Sequence, residues 1–293
     1  MPESTLAGVD AGATKTHLRV ERAGAVLLDE VVPTGAWRRT PTSVGPEDAA
    51  ALWSALGSPE GPVRLVVGAH GIDTADAARA LASGLAAHCR GSVSVHNDAV
   101  LLGPAAGSRG VSIAIVAGTG AIVLAADGAG VLATRGGYGF LLGDEGSAAS
   151  LVRDLAVALT RAADAGAQDP VALEALAASL GVPAGADRLA AVALALHDRA
   201  APAVWGRHAP AVFDAAASGS ASAAGVIAAH AAVLGGHVAS LVAAGHAPDV
   251  VVAAGGVATH QPGFVAAVQE AARAAGAAVT IEVLRRAPVA GAI

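Results

Sequence analysis

The sequence is poor in cysteine and in clustered positive charge, and both absences exclude classes of protein. Its 293 residues include a single cysteine, Cys89, whereas intrachain disulfides, iron–sulfur clusters and structural zinc sites each need several. Lysine and arginine total 18 against 24 acidic residues, which gives a net charge of −6. Because the arginines are also scattered along the chain, a nucleic-acid partner is not expected.

Membrane and export signals are the next features that we find missing. Hydrophobic residues make up 54% of the chain, but glycine, proline or charge interrupts the apolar runs, and no transmembrane helix is expected. The segment before Leu6 lacks the basic region of a signal peptide, so a cytoplasmic location is expected. The closest pair of histidines at helical spacing, His230 and His237, has no neighbouring carboxylate. We interpret these histidines as helix-surface or core residues rather than metal ligands.

What the sequence does contain is an alternation of strands and helices typical of an α/β protein. Strands are predicted over residues 6–10, 17–20, 25–32, 63–68, 92–96, 111–117, 122–125, 131–134, 249–254 and 279–284. Helices are predicted over residues 46–56, 76–89, 147–161 and 262–275, with an alanine-rich helical layer over residues 170–244.

Two glycine turns indicate that the strand pattern is repeated. Gly118 and Gly130 are separated by the same number of residues as Gly12 and Gly24, and each pair punctuates a strand-turn-strand-turn-strand unit. This spacing predicts a duplicated sheet core, although two unrelated hairpins are the alternative. We therefore expect two lobes, residues 1–108 and 109–293, that share a cleft.

The first predicted turn has the composition of a phosphate cradle. Asp10 ends a strand, and the turn that follows offers backbone N–H groups at Gly12, hydroxyls at Thr14 and Thr16, and the ammonium group of Lys15. It is not a Walker A loop, because Thr14 rather than glycine precedes Lys15 and no helix follows. We expect these residues to contact nucleotide phosphates and Asp10 to hold Mg²⁺ through water. A solvated hairpin is the alternative.

Two further glycine-containing turns are candidates for nucleotide contacts. Gly118, Thr119 and Gly120 occupy the equivalent turn of the second half, where backbone can approach a phosphate closely and Thr119 adds a hydroxyl. Gly255 and Gly256 follow a buried strand and are candidates for contacting adenosine. An ordinary strand-to-helix turn is the alternative for this last pair.

Asp98 is the candidate catalytic base. It follows Asn97, a candidate substrate contact, at the point where a buried strand ends and a helix begins. The side chain of Asp98 is therefore expected at the mouth of the sheet. A carboxylate there can accept the proton of a hydroxyl that attacks the γ-phosphate of ATP. The structural alternative is an ordinary helix N-cap, which aspartate also favours.

A glycine-rich segment at residues 136–146 is the candidate substrate loop. It contains five glycines, including Gly137, and the adjacent carboxylates Asp144 and Glu145 directly ahead of a long predicted helix. Glycine lets backbone approach a ligand, and the carboxylates can accept hydrogen bonds from sugar hydroxyls.

Taken in order, these segments resemble the N-acetylglucosamine kinase branch of the actin-like ATPase superfamily, which also includes the activators of benzoyl-CoA-type reductases. The resemblance runs almost from end to end and is carried by residues 10–16, 97–99, 118–120, 137–147 and 254–257. The block from Gly143 to Ser147 is its most specific part.

The resemblance implies a two-lobed, ribonuclease H-like fold that binds ATP and Mg²⁺ between its lobes and phosphorylates a hexosamine, expected at the 6-hydroxyl. The implied partner is a small-molecule sugar, and a homodimer is left open. The implied roles are the catalytic base for Asp98, the acidic residue near Mg²⁺ for Asp10, the second phosphate loop for residues 118–120, sugar contacts for Gly137, Thr119 and Asp144, and the adenosine loop for Gly255 and Gly256.

Several residues depart from the family pattern. Ala121 and Ile122 stand where the family usually has serine and, in the animal enzymes, asparagine, and Ala36 replaces the asparagine that normally precedes Trp37. Each lost amide removes a hydrogen bond worth about 1 kcal/mol, so a different sugar or a low activity is expected. The family also usually extends the segment before Ile293 into a closing helix.

Two other functions compete with a kinase. An ATPase that activates a partner redox enzyme resembles this fold, but it needs cysteines to hold a cluster, and the chain has only Cys89. A catalytically degenerate nucleotide- or sugar-binding protein is favoured by Ala36, Ala121 and Ile122. It would bind nucleotide without sugar-dependent release of ADP.

Overall fold

The computed structural model describes residues 5–40, 44–185, 187–198 and 200–293. Its first half contains a mixed five-stranded sheet in the order β3-β2-β1-β4-β5. The three strands β1, β2 and β3 pair antiparallel, whereas β4 and β5 run parallel to β1. The strands are β1 (Thr5–Ala11), β2 (Lys15–Arg22), β3 (Ala25–Pro33), β4 (Pro62–Ala69) and β5 (Arg90–His96).

The second sheet repeats this topology, as the glycine spacing predicts. Its order is β10-β9-β6-β7-β8, again with three antiparallel strands followed by two parallel ones. Each sheet has a register shift at a corresponding point of its second strand, after Val20 and after Ala125. The strands are β6 (Ser112–Ala117), β7 (Ala121–Asp127), β8 (Gly130–Gly136), β9 (Val250–Ala254) and β10 (Ile281–Val283). The last is shorter than the predicted 279–284.

The helices lie between and outside the sheets. They are α1 (Ala49–Ala55), α2 (Ala75–Ala86), α3 (Leu102–Ala105), α4 (Ala148–Asp164), α5 (Pro170–Leu180), α6 (Arg188–His197), α7 (Pro202–Trp205), α8 (Ala209–Ala217), α9 (Ala221–Ala243), α10 (Gly256–His260) and α11 (Pro262–Ala274). Single 3₁₀ turns occupy residues 34–36, 46–48, 98–101, 206–208 and 288–291. The predicted helix 46–56 therefore begins as a 3₁₀ turn at Pro46–Asp48 before α1 continues from Ala49.

Each sheet has its own hydrophobic core. Leu18, Leu52 and Leu65 are fully buried in the first core, and Ile113, Leu151 and Leu155 are fully buried in the second. Burying a leucine or isoleucine side chain stabilises a fold by about 1.5–3 kcal/mol. Two separate hydrophobic cores are consistent with the two predicted lobes, because each lobe needs a core of its own.

Two segments join the lobes. After β5, the 3₁₀ turn and α3 place Ala99, Val100 and Leu102 against β6, β7 and β9 of the second sheet. At the C-terminus, the chain returns from β10 and packs Ala292 against Val66 and Leu101 of the first half. The C-terminal turn, which the predicted boundary assigns to the second lobe, thus lies on the first sheet.

Helix α9 corrects the expectation that apolar runs are short. It has 23 residues, a peak mean hydropathy of 1.8, and by length and composition alone it could cross a membrane. Its buried residues, which include Val226, Leu234 and Leu241, belong to the second core. A core helix of a globular domain passes the same test, and α9 packs against α4, α8 and α11.

Candidate active site

The parallel strands of the first sheet bring two aspartates to one edge. Asp10 lies near the end of β1 and pairs with Gly68 of β4, and Gly68 also pairs with His96 at the end of β5. Asp98 follows two residues later. A Cβ atom at Gly68 would lie 3.1 Å from the Cα of Asp98 and 2.5 Å from Leu101 Cδ1. Glycine at this position therefore allows the turn that carries Asp98 to lie against the sheet.

The two carboxylates raise the proton affinity of the site. Burial and, to a smaller extent, the negative charge of Asp98 raise the pKa of Asp10 to about 6, although the positive charges of His17 and Lys15 oppose the shift. Burial also raises the pKa of Asp98, although the nearby His70 and the backbone N–H of Ala99 oppose the shift. A carboxylate with a raised pKa is a stronger base, which suits proton abstraction near neutral pH.

Asn97, rather than Asp98, has the N-cap role. The Asn97 Oδ1 accepts a hydrogen bond from the N–H of Ala99 at 3.0 Å, and its Nδ2 donates to Asp73 Oδ1 at 3.1 Å. Asp98 Oδ1 also accepts from Ala99, at 3.1 Å. The side chain of Asn97, predicted to bind substrate, is thus engaged in holding the turn.

Arg38 is a charged neighbour of Asp98 that the sequence did not reveal. Its side chain is 5% exposed, and burial lowers its pKa while the charges of Asp48 and Asp98 oppose that effect. Asp48 is fully buried and accepts hydrogen bonds from the backbone of Arg39 and Gly45. The loop that carries Arg38 therefore places a buried guanidinium group near Asp98, the candidate base.

The first candidate phosphate turn, residues 12–15, is supported from behind by hydroxyl groups. Its ends are joined by a hydrogen bond from the Gly12 N–H to the Lys15 carbonyl at 3.0 Å. Thr34 Oγ1 donates to the Gly12 carbonyl at 2.9 Å and bonds to Thr16 Oγ1 at 3.0 Å. Trp37 donates its indole N–H to Thr16 at 2.9 Å.

This network bears on which residues of the turn can reach a ligand. Thr14 and Lys15 are exposed, and Gly12 is half-buried. Thr16 is fully buried, and its hydroxyl is used by Thr34 and Trp37. Of the predicted phosphate contacts, Thr16 is therefore placed behind the turn rather than on its face.

The second phosphate turn and the Gly255–Gly256 turn lie against each other. The Gly118 N–H donates to the Gly120 carbonyl at 2.9 Å, and the Gly118 carbonyl accepts from Ala148 at 2.8 Å. Gly255 has a φ of +98°, and a Cβ atom there would lie 2.4 Å from the carbonyl oxygen of Ala117. Only glycine fits this approach, and the two predicted nucleotide turns are thereby joined into one surface.

A cleft of about 390 Å³ opens beside this surface. Gly118 and Thr119 border it together with Gly256, which the sequence predicted as nucleotide contacts. The other lining residues are Ala148, Pro202, Ala203, Gly206, Arg207, Ala209, Pro210, Phe213, Val257, His260 and Gln261. Residues 202–213 were missed because they belong to an alanine-rich helical layer without a motif, whereas His260 and Gln261 follow the predicted glycine turn directly.

The glycine-rich segment is folded around Asp144 rather than extended. Asp144 adopts a left-handed conformation, with φ of 61°, and is 8% exposed. Its Oδ1 accepts a hydrogen bond from the Gly139 N–H at 2.9 Å. Burial raises its pKa, and hydrogen bonds from the backbone of Gly139 and Ala121 oppose the shift. The carboxylate thus links the segment to the residue that follows the second phosphate turn.

Gly137 and Glu145 have different surroundings. Gly137 packs its backbone on Ile122, because a Cβ atom at Gly137 would lie 2.8 Å from Ile122 Cδ1. Ile122 therefore occupies space beside the predicted sugar contact. Glu145 is half-buried, and its charge raises the pKa of His237, although burial has the larger, opposite effect.

Asp10 is the candidate for holding a divalent cation. Among the residues that the structure describes, no group of three histidine, cysteine or acidic side chains could bind a metal. Mg²⁺ in phosphoryl-transfer sites commonly uses one or two carboxylates together with waters and substrate phosphates. A partly buried carboxylate beside a second one and a phosphate turn fits that donor set.

Comparison with known proteins decides the family. The model of the BadF/BadG/BcrA/BcrD ATPase family matches residues 7–293. The chain belongs to this ATPase family. The match spans both candidate phosphate turns, Asp98 and the glycine-rich segment, as the resemblance in the sequence predicts. No curated protein sequence matches the chain significantly.

Solved structures similar to this family member confirm its fold. A proposed N-acetylglucosamine kinase from Chromobacterium violaceum has a TM-score of 0.65 at 22% identity, over 98% of this chain and 97% of the other. A ROK family glucokinase from Streptomyces griseus, in complex with glucose and AMPPNP, has a TM-score of 0.56 at 19% identity, over 98% and 97%. A proposed N-acetylmannosamine kinase from Listeria monocytogenes has a TM-score of 0.60 at 14% identity, over 98% and 97%. The predicted two-lobed actin-like fold is therefore confirmed.

Proposed function

We propose that the protein is an ATP-dependent sugar kinase in which Asp98 is the catalytic base. The observation that carries this proposal is the pair of adjacent carboxylates at the edge of the first sheet, beside a turn that exposes Thr14 and Lys15. Membership in an ATPase family supports a nucleotide substrate. The raised pKa of Asp98 supports its role as a base.

The nucleotide is proposed to lie between the lobes. Its base and ribose would occupy the cleft beside Gly255 and Gly256, and its phosphates would contact the two turns at residues 12–15 and 118–120. Backbone N–H groups and the Lys15 ammonium group provide positive potential for phosphates. Asp10 would hold Mg²⁺, which neutralises charge on the phosphates when bound.

The proposed reaction transfers the γ-phosphoryl group to a sugar hydroxyl. Asp98 accepts the hydroxyl proton while the sugar oxygen forms a bond to the γ-phosphorus and the bond to the β-phosphate oxygen breaks. ADP leaves, and Asp98 releases the proton to solvent. Arg38, buried beside Asp98, offsets negative charge around the base.

The proposed acceptor is a hexosamine or a related hexose, with the 6-hydroxyl as the attacking group. Similarity to the proposed N-acetylglucosamine kinase from Chromobacterium violaceum and the proposed N-acetylmannosamine kinase from Listeria monocytogenes supports a hexosamine. Gly137, Asp144 and Glu145 are proposed as the substrate loop. Ala36 and Ile122 provide no amide hydrogen bonds, so the preferred sugar is expected to differ from that of family members that have them.

The burial of Cys89 does not support the competing role, which is to activate a redox partner. Cys89 is 7% exposed in the first core, and its thiol donates to the carbonyl of Val63. A cluster shared between subunits needs accessible thiolates. The position of Cys89 therefore favours the kinase.

The test is ADP release from ATP with candidate sugars. We expect release that depends on one of glucosamine, N-acetylglucosamine, N-acetylmannosamine or glucose, and a loss of about 10²–10⁴-fold in kcat for Asp98→Asn. Nucleotide binding without release under any sugar would indicate the degenerate binding protein instead. Unchanged turnover in Asp98→Asn would exclude Asp98 as the base.

A further inference from the structure

A buried histidine connects the glycine-rich segment to the helical core. His230 of α9 is 2% exposed. Its Nδ1 accepts a hydrogen bond from the backbone N–H of Gly146 at 2.7 Å, and its Nε2 lies 2.8 Å from Asp154 Oδ2 on α4. Gly146 directly follows the carboxylates Asp144 and Glu145.

These contacts fix the position of the imidazole proton. A backbone N–H can only donate, so Nδ1 of His230 must be the acceptor and the proton of the neutral ring must be on Nε2. That proton is donated to Asp154. Burial alone would raise the pKa of Asp154, but hydrogen bonds from His230 and Arg153 and the charge of Arg153 lower it to about 2. Asp154 therefore remains an acceptor throughout the neutral range.

The same helix holds the segment at other points. Arg153 bonds to both carboxylate oxygens of Asp154 and donates to the carbonyl of Phe140. Ser150 donates to the carbonyl of Gly143 at 3.1 Å. His230 adds the contact at Gly146, the residue after Glu145. The Gly146 N–H is buried, and a buried donor that loses its acceptor costs free energy.

We propose that His230, oriented by Asp154, is a positioning residue that holds the sugar-binding segment in its binding conformation. The proposal rests on the function proposed above. A histidine that only fills the core would need no acceptor directed at this segment. A carboxylate that accepts a hydrogen bond from one ring nitrogen fixes the ring so that the other nitrogen faces its partner. The same arrangement occurs where histidines bind metals or catalyse reactions.

The kinetic test compares three variants. His230→Leu replaces the imidazole with an apolar side chain of similar size and so removes the acceptor, whereas His230→Asn places an amide oxygen near the former Nδ1. Leu241→Ala is the control, because Leu241 is a fully buried residue of the same helix, about 16 Å further along it. We expect His230→Leu to raise KM for the sugar about tenfold or more, with KM for ATP unchanged. His230→Asn should recover most of this loss, and Leu241→Ala should change neither KM.

The second readout does not depend on sugar turnover. Nitrogen-15 NMR of the wild-type protein should show the Nε2–H form of His230, and hydrogen exchange at the Gly146 amide should be about tenfold faster in His230→Leu than in Leu241→Ala. If the wild type phosphorylates no sugar, the proposed function fails. The NMR and hydrogen-exchange measurements still test whether His230 holds the Gly146 amide. Should His230→Leu fail to fold, Asp154→Asn replaces it, because its amide can donate to Nε2 and favour the wrong tautomer.

Three results would overturn the inference. They are an Nδ1–H form of His230 in the wild type, equal sugar KM in His230→Leu and wild type, and equal changes in His230→Leu and Leu241→Ala.

Discussion

At the scale of single residues, the carboxylate of Asp10, proposed to hold Mg²⁺, comes at a cost in stability. Its pKa of about 6 in the folded protein lies above the ordinary value. The sign follows from proton binding: this group favours the folded state below the unfolded pKa near 4, and that contribution is lost as pH rises through about 6. At neutral pH the ionised carboxylate therefore destabilises the fold.

We predict that Asp10→Asn stabilises the protein at neutral pH while it abolishes kinase activity. The expected gain in the free energy of unfolding is about 1 kcal/mol at about pH 7.5 and close to zero at about pH 4. Because the carboxylate has some solvent contact, this gain is smaller than the pKa shift alone would give. Urea denaturation at both pH values measures the free energy of unfolding. Asp76→Asn is the control, since the Asp76 side chain is 89% exposed, and an equal gain there would contradict the explanation.

The neighbours of Asp98 lead to a pair of predictions with opposite signs. His70 lowers the pKa of Asp98 and Asp73 raises it. Because the base must be ionised to accept a proton, His70→Gln should move the acid limb of the kcat/KM profile to higher pH, and Asp73→Asn should move it to lower pH. Profiles of both variants beside the wild type measure this. Shifts in the same direction would show that another group controls the limb.

At the scale of secondary-structure elements, Gly68 determines where the turn that carries Asp98 lies. A Cβ atom would press on Leu101 and on the Cα of Asp98. Gly68→Ala should cost about 1–3 kcal/mol in stability and lower kcat while nucleotide binding is retained. Gly225→Ala is the matched control, because a Cβ there meets no atom within 4 Å. Thermal unfolding and ADP release measure both variants, and a fully active Gly68→Ala would contradict the prediction.

The elements also show how far local sequence information reaches. The strand-turn-strand units around Gly12 and Gly118 could be predicted because turn chemistry and apolar alternation act between near neighbours. The contact from His230 to Gly146 spans 84 residues, and no local pattern indicates it. The exact ends of α2 and β10 were also missed. Helix α2 ends at Ala86, where the N–H groups of His88 and Cys89 both donate to the carbonyl of Leu85 in a turn, and β10 is limited to Ile281–Val283.

The candidate site shows the same limit. Asp10, Asp98 and the glycine turns could be proposed from the sequence because each stands at a strand end in a recognisable order. Arg38 could not, since its burial beside Asp98 depends on how the loop after Trp37 folds back over the first sheet. The packing of Thr16 behind its turn was likewise hidden, because it depends on Thr34 and Trp37.

At the scale of the whole molecule, the C-terminal turn connects the lobes asymmetrically. The residues that line the cleft proposed for adenosine all lie between Gly118 and Gln261 in the second lobe. Asp10 and Asp98 lie in the first. The C-terminal turn packs on the first lobe, where a Cβ atom at Gly291 would lie 2.1 Å from the carbonyl oxygen of Leu101 and 2.9 Å from the Ala105 nitrogen. Displacing this turn should therefore disturb the relation between the lobes but leave the cleft intact.

Gly291→Val tests this division. Because its side chain would meet backbone atoms of the turn and α3, we expect a stability loss of about 1–3 kcal/mol and a fall in sugar-dependent turnover of about tenfold or more. The dissociation constant of adenosine, which is proposed to contact only the second lobe, should change by less than about threefold, since no cleft residue is altered. Gly263→Val, whose added atoms begin in open space, should change none of the three. A parallel loss of adenosine binding and turnover in Gly291→Val would mean that adenosine binding also needs the first lobe, and would contradict the division.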